Sequence, residues 1–469
     1  MTDEPNVTQS SCDHHAKNTL VSYCVGRKGG TFVRHAQLND SRAKSGDALT
    51  PTTYPAGSHH HAIQQHHICV VTDTYPPEVN GVALTLARLV DGLKVCGHAV
   101  SVVCPRQWIA DRPSCDRDPK VTLVRGVPLP GYKGLHVGLP AGGLLLDCWT
   151  RYRPDVVYVA TEGPLGWSAV RTAQRLGIPV LSGFHTNFHS YSRHYRAGWL
   201  QHWVALYLRW FHNRTTGTLV PSIDLRDRLH ARGFKNVSVL GRGVDSQLFT
   251  PARRCRALRE TWGASEHDLV VLYVGRLAPE KNLGLAIAAY RAMQRCNKEV
   301  KFVIVGDGPQ RAMLQKGHPD LLFCGVHRGE QLARHYASAD VFLFPSDTET
   351  FGNVTLEAMA SGLVVLAYDY AAAGMHITHG ETGLLVPNGE AEAFVTTATD
   401  LAREPQSLPR MRRQAREYVA TLGWQCVVQR FETLLTGVLT KPRTASSRRR
   451  VRLLSATSVG VDRGVNTRQ

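Results

Sequence analysis

The stretch "DVFLFPSDTETFGNVTLEAMASGLVVLAYD", residues 340–369, decides the fold. It opens on the apolar run Val341–Phe344, which shows no polar alternation and ends at Pro345. A polar loop, "SDTETFGN", follows, then the helix-compatible "VTLEAMAS", which stops at Gly362. A second continuous apolar run, "LVVLAYD", comes directly after. Strands apolar on both faces and separated by a helix belong to a parallel sheet covered on both sides.

The same strand–helix alternation runs outward in both directions. Towards the N-terminus of this half lie "DLVVLYVGRL", "NLGLAIAAYRAMQRC", "KFVIVGDG", "PQRAMLQKG", "LLFCGV" and "GEQLARHYASA". An earlier series contains "HHICVVTD" (66–73), "GVALTLARLVDGLKVCGH", "AVSVVCP", "PDVVYVAT" (154–161) and "AVRTAQRLGIPVLSGFHT". Two such series predict an α/β protein of two doubly wound, Rossmann-like domains facing across a cleft, with ligands at the carboxyl ends of the strands. The boundary is placed at "LGRGVD". The expected division is a polar, His-rich disordered leader at 1–65, an N-terminal domain at 66–241, a C-terminal domain at 242–420, a helix at 421–439 able to cross back to the first domain, and a basic disordered tail at 440–469.

Composition narrows the class. The chain has 469 residues, 43 % of them hydrophobic, enough for two or three domains with real cores. No apolar run is long enough to span a bilayer, and the first thirty residues lack the basic-then-apolar pattern of an export signal. Eleven cysteines without a CxxC pair argue against a disulfide framework and a structural zinc site, and for small buried hydrophobes in a reducing cytosol. The formal charge is +17, of which the last thirty residues carry +7 through eight Lys and Arg against Asp462. Such a balance suits nucleic acid, anionic lipid or a phosphorylated small molecule, and does not choose among them. The leader's histidines are read as solvated rather than as metal ligands.

Four strand-end loops carry chemistry. In "VGRLAPEKN" (274–282), Arg276 leaves a strand and Lys281 precedes a helix, a pair of cations suited to a diphosphate or to an ordinary solvated loop. In "VIVGDGP" (303–309), Gly306 and Gly308 suit a tight turn and close approach of a ligand, while the absence of the full GxGxxG pattern disfavours a nicotinamide dinucleotide. In the opening stretch, Glu349 sits in the loop with Phe351, Gly352 and Asn353, and Glu357 lies one turn into the helix. The backbone N–H groups of 352–355 are free to face a negative group. Glu357 alone would also suit a helix-dipole role. In the first half, Gly81 opens a helix after the first strand, and His185 ends a strand in "GFHTNFHSYSRHY".

Together these phrases resemble glycosyltransferase family 4, of the GT-B fold, over about residues 66–437. The resemblance is strongest in "GRLAPEKN", "VGDGP", "LFPSDTETFGNVTLEAMASG" and "HGETGLLVPNG", with Glu349 and Glu357 matching the family's E-x7-E spacing. "TDTYPPEVNGV" and "GFHTNF" resemble the branch of GDP-mannose-dependent mannosyltransferases and sulfoquinovosyl-type lipid glycosyltransferases. It implies a hexosyltransferase that retains anomeric configuration. Arg276 and Lys281 would hold the donor diphosphate, with Gly81 approaching it. Glu357 would bind the ribose, Glu349 the transferred sugar, and His185 would lie near the reacting carbon. Gly306 and Val326 would lie close to the base. The implied substrate is a nucleotide-diphosphate sugar, GDP-mannose favoured, and the implied acceptor a lipid or glycan. No cofactor or active-site metal is implied, and no DxD is read that would compel one. "SGLVV", where the family has a proline before the valines, departs from the pattern away from these residues.

Three readings stay open beside this one. A nucleotide-sugar epimerase or hydrolase of the same fold would use the same donor site without a separate acceptor. A nucleic-acid-binding protein would account for the charge, although no specific module is present and much of the excess sits in the tail. The segment "GWLQHWVALYLRWFHNR" (198–214) suits either a buried domain helix, the reading preferred here, or a peripheral contact with anionic membrane at its inner, cytoplasmic face.

Overall fold

The computed structural model describes residues 64–78, 80–106, 121–128, 136–185 and 198–440, without the side chains of 198–201. Nearly all of the predicted leader, the predicted tail beyond Thr440 and the histidine-rich stretch after His185 lie outside the described residues.

The strands of the first half are β1 (His67–Val71), β2 (Ala99–Pro105), β3 (Val121–Val124), β4 (Gly126–Pro128), β5 (His136–Gly138), β6 (Val156–Val159), β7 (Val180–Gly183), β8 (Gly217–Val220) and β9 (Val237–Val239). Those of the second half are β10 (Val270–Val274), β11 (Lys301–Val305), β12 (Leu322–Gly325), β13 (Val341–Phe344), β14 (Val364–Tyr368) and β15 (Leu384–Val386). Two parallel sheets result, ordered β3-β2-β1-β6-β7-β8-β9 and β12-β11-β10-β13-β14-β15; β4 and β5 form a separate antiparallel pair. In the second sheet Val271 and Leu272 stand beside Val341 and Phe342. Val270, Leu272, Val341 and Val364 are all fully buried, which is why these strands show no alternation.

The strand order fixes where a ligand can enter. Each sheet reverses direction of growth once, between β1 and β6 and between β10 and β13. Crossover helices leave opposite faces of the sheet at such a reversal, so a crevice opens beyond the strands' carboxyl ends.

The chain passes between the two halves twice. After β9 it runs through residues 240–245 to the second sheet, and it returns at residues 422–423, where Val244 N–H donates to the Leu422 carbonyl at 3.2 Å. The helix Trp424–Gly437 then lies on the first sheet, with Val428, Phe431 and Leu435 buried among Ile68, Leu86 and Tyr158. Its neighbour is the helix Gly81–Val95, and their close approach depends on Gly92. A Cβ there would stand 2.3 Å from Cγ2 of Val428.

This contact sets two effects against each other. Gly92→Ala gains about 1 kcal/mol in helix propensity. Overpacking against Val428 costs about 1–3 kcal/mol. We expect Gly92→Ala to lower the melting temperature, and Gly92→Ala with Val428→Ala to be more stable than the sum of the two single changes. A thermal double-mutant cycle checks this; additive effects would mean the helices simply move apart.

Candidate active site

At the reversal of the second sheet, the loop after β10 carries Arg276 and Lys281 and the loop after β13 carries Glu349. The two loops are stitched together. Lys281 Nζ pairs with Glu349 Oε1, and Ser346 Oγ donates to the same oxygen at 2.7 Å. Thr348 donates towards the Glu280 carbonyl at 3.4 Å, and Ser346 Oγ stands 3.5 Å from the same oxygen. Tyr370 fixes the loop from behind: its hydroxyl accepts from Glu349 N–H at 2.6 Å and donates to the Ser346 carbonyl at 2.8 Å. Burial, and then the Glu349 charge, push the Tyr370 phenol far above its usual range, so it stays a donor. The sequence separates Lys281 and Glu349 by role; the structure makes them partners. Arg276 is solvent-exposed at the strand end.

Glu357 lies in the helix Asn353–Ala360 and takes a hydrogen bond from the Tyr336 hydroxyl at 3.1 Å. Burial raises its carboxyl to about 7, against a smaller downward pull from that bond. The helix starts after Gly352 at φ +91, where a side chain would be strained, and no side chain caps it. One correction concerns its free N–H groups. Thr355 N–H is spent on the Gly352 carbonyl at 3.0 Å, so the donors able to face the cleft are those of 352–354. Phe351 is a second correction. The residue is 3 % exposed, its side chain packs in the core of the second half and its carbonyl accepts from Ala372 N–H at 2.8 Å, so it supports the loop from behind.

The glycines of "VGDGP" have a different reason from the one the sequence suggests. A Cβ on Gly306 would lie 1.9 Å from the Gly275 carbonyl oxygen, and one on Gly308 would lie 2.4 Å from that of Leu277. Backbone of the neighbouring loop, rather than a ligand, requires both. Val326 follows β12 and is exposed.

Across the cleft, the helix Gly81–Val95 points its first turn at the second half. A Cβ on Gly81 would stand 3.9 Å from Asn353 Nδ2, so two helix N-termini meet there. Asn80 caps the first of them, accepting from Val82 and Ala83 N–H at 3.1 and 2.9 Å. His185, two residues past β7, has its Nε2 at 3.1 Å from the Tyr158 hydroxyl. Burial first, then Arg242 and His212, hold its ring down to about 3, so it is neutral.

Gly81, Asn353, Arg276, Lys281, Glu349 and Glu357 thus gather at the facing strand ends, with His185 one strand further out. Arg242, Tyr336 and Tyr370 join them without having stood out in the sequence. Arg242 is there only part of a domain boundary, and a helical tyrosine carries no sequence sign of the carboxylate it will meet. Among the described residues no group of three His, Cys, Asp or Glu side chains is placed to hold a metal ion. One amendment concerns the motifs: Asp116-Arg117-Asp118 does have DxD spacing, and it lies outside the described residues. Of the described cysteines, Cys69, Cys104 and Cys148 are buried while Cys296 and Cys426 are exposed, so the small-hydrophobe reading fits only some.

The arrangement brings cations, carboxylates and two helix starts together where the two sheets face each other. The profile of Glycosyltransferase Family 4 matches residues 79–248, and that of Glycosyl transferases group 1 matches 268–404. The chain belongs to glycosyltransferase family 4 and is an enzyme of that class. It is 34 % identical to a GDP-mannose-dependent alpha-mannosyltransferase of Mycobacterium tuberculosis (strain CDC 1551 / Oshkosh), over 77 % of this chain and 93 % of that protein. It is 29 % identical to the sulfoquinovosyl transferase SQD2 of Arabidopsis thaliana, over 74 % of this chain and 68 % of that one. Among solved structures, Anabaena Alr3699/HepE in complex with UDP and glucose superposes with a TM-score of 0.61 at 17 % identity, covering 80 % of this chain and 100 % of that one. The fold is GT-B.

Glu357 gives a stability test. Its folded pKa of about 7 lies above the unfolded value of 4.5, so the folded state binds the extra proton. Stability from this group is therefore full below the unfolded value and is lost as pH rises through 7, at about 1.4 kcal/mol for each pH unit in between. Gln at 357 keeps an acceptor for Tyr336 without the charge. We expect Glu357→Gln to melt higher than wild type at pH 8 and about equally at pH 5. Calorimetric melting across that range checks it, and a pH-independent difference would refute the raised carboxyl pKa.

Proposed function

We propose that this glycosyltransferase transfers mannose from GDP-mannose, with retention of configuration, to a lipid or glycan acceptor. The observation that carries the donor assignment is the 34 % identity to a GDP-mannose-dependent alpha-mannosyltransferase over 93 % of its length. The clustered residues support the chemistry. When the bond from sugar C1 to the phosphate oxygen breaks, negative charge develops on the departing diphosphate. Arg276, Lys281 and the starts of the Gly81 and Asn353 helices carry the right charge to meet it, Lys281 once it leaves Glu349; a donor of this kind is worth about 3–4 kcal/mol in the barrier. Glu357 takes the ribose hydroxyls and Glu349 those of the sugar. Donor entry then shifts Lys281 from Glu349 towards phosphate. The acceptor oxygen bonds to C1 on the face the phosphate leaves, and its proton passes to the leaving phosphate oxygen.

A second observation bears on the acceptor. On the helix Gly198–His212, Leu208 and Phe211 are buried, while Trp203, Tyr207 and Trp210 are 62, 39 and 41 % exposed. Arg214 lies 4.5 Å over the Trp210 ring, and Arg209 is exposed beside it. The buried-helix reading holds for one face only. An aromatic and cationic outer face supports contact with an anionic membrane surface, where a lipid acceptor would reside. Among the described residues no helix is long and apolar enough to cross a membrane.

Two experiments test these readings. Thermal shift and calorimetry with GDP-mannose, UDP-glucose and UDP-GlcNAc should show the largest stabilisation by GDP-mannose. Arg276→Ala and Lys281→Ala should weaken donor affinity and turnover, and Glu357→Gln should weaken free GDP tenfold or more, since a charged hydrogen bond is worth about 1.5–3 kcal/mol. Glu349→Gln should spare GDP and impair GDP-mannose. Preference for a UDP-sugar, or sugar release without an acceptor, would replace this reading. In the second experiment, sedimentation with phosphatidylglycerol vesicles should capture the protein and phosphatidylcholine vesicles should not. Equal capture of wild type and Trp203→Ala/Trp210→Ala would remove the helix from the membrane contact.

A further inference from the structure

Arg242, in the segment joining the two sheets, is only 8 % exposed. Among the described residues no carboxylate lies within ion-pairing distance of it. Burial lowers the guanidinium to about 10, yet it remains charged at neutral pH. Its donors go elsewhere. Nη1 donates to the Gly81 carbonyl at 3.0 Å and to Thr85 Oγ1 at 2.5 Å, one turn apart at the start of the cleft-facing helix. Nη2 faces His185 Nδ1 at 3.5 Å. Thr85, Tyr158, His185 and Arg242 line one small cavity.

A guanidinium can only donate. His185 Nδ1 must therefore be the bare, accepting nitrogen, and the single proton of the neutral ring sits on Nε2, towards Tyr158. Gly183 makes this packing feasible: a Cβ there would lie 2.2 Å from the Tyr158 hydroxyl and 2.6 Å from His185 Nε2. The groups facing the ring are Tyr158 from β6, Arg242 from the connecting segment, and His212 from the Gly198–His212 helix, itself 3.3 Å from Glu162. Among the described residues no carboxylate touches His185 directly, so none of them offsets the cation.

We propose that Arg242 is a positioning residue: it fixes His185 as the neutral Nε2–H tautomer and, with the same guanidinium, anchors the first turn of the Gly81 helix, setting two parts of the cleft from the segment that connects the halves. Its bearing on turnover rests on the reading that His185 lies beside the donor sugar. The tautomer itself does not.

Nitrogen-15 NMR of ring-labelled histidine, assigned with His185→Ala, reads the tautomer without activity. Wild type should show one His185 tautomer, proton on Nε2, with no protonation between pH 5 and 8. Arg242→Met should either populate the Nδ1–H form or bring a titration into that range, and kcat should fall tenfold or more. Arg242→Lys, which keeps a cation and a donor, should restore the wild-type tautomer and part of kcat. An unchanged tautomer and pH response in Arg242→Met, with only a lowered melting temperature, would overturn the proposal and leave Arg242 a packing residue. If the Met variant does not fold, a wild-type ring that carries its proton on Nδ1 or titrates above pH 5 overturns it equally. Correct tautomer behaviour with kcat unchanged in Arg242→Met would uphold the local geometry, overturn the turnover claim and count against the sugar-side reading of His185.

Discussion

All strands of each sheet run parallel, and this constraint governs everything else in the molecule. It puts every carboxyl end of a sheet on one edge and every helix start beside it. Because each order reverses once, each sheet has one place where that edge opens into a crevice. The two crevices face each other closely enough that a Cβ added at Gly81, at the start of one helix, would come into van der Waals range of Asn353 at the start of the other. Two partial positive poles are thereby aimed at one small volume. Like poles repel, and an anion between them turns that repulsion into a pair of attractions.

The side chains around that volume show how the cost of gathering charge is contained. Lys281 is neutralised by Glu349, which is itself held by Ser346 and oriented through Tyr370. Glu357 has its carboxyl pushed up to about 7 by burial and takes a hydrogen bond from Tyr336. An isolated buried charge would cost far more than either arrangement. Both glutamates are therefore desolvated and held in place by the protein's own groups. Preorganisation of this kind limits the entropy lost on binding.

The sheets are legible in the sequence because burial on both faces leaves a plain mark: Val270–Val274, Val341–Phe344 and Val364–Tyr368 are continuous apolar runs and are strands. Edge elements such as β5 and β15, three residues each, carry too little pattern to stand out. The site is legible where chemistry and strand ends coincide, as at Arg276, Lys281 and the two glutamates. It is not legible where one residue pattern serves two physical ends. Gly-x-Gly marks close approach to backbone, and the sequence does not say whether the neighbour is a ligand or, as at Gly306, a second loop. Helical spacing in 198–212 carries two neighbouring apolar stripes, one through Leu208 and Phe211 and one through Trp203, Tyr207 and Trp210, and the sequence does not say that only the first is buried. Arg242 stands between two glycines in a linker, where its burial depends on long-range packing against His185 and Gly81.

The double passage between the sheets has a mechanical meaning. A single connecting strand lets two bodies swivel freely. Here residues 240–245 and 422–423 run side by side and are hydrogen-bonded, and Arg416 ties Ser246 and Phe249 to the helix just before the return passage. Two abutting strips flex readily about the line through them and resist torsion, so opening and closing are the soft motion and twisting the stiff one. The same layout makes the halves inseparable by one cut. A fragment ending before Gly243 would expose the apolar surface that Val428, Phe431 and Leu435 cover, because the last described helix completes the first sheet's packing.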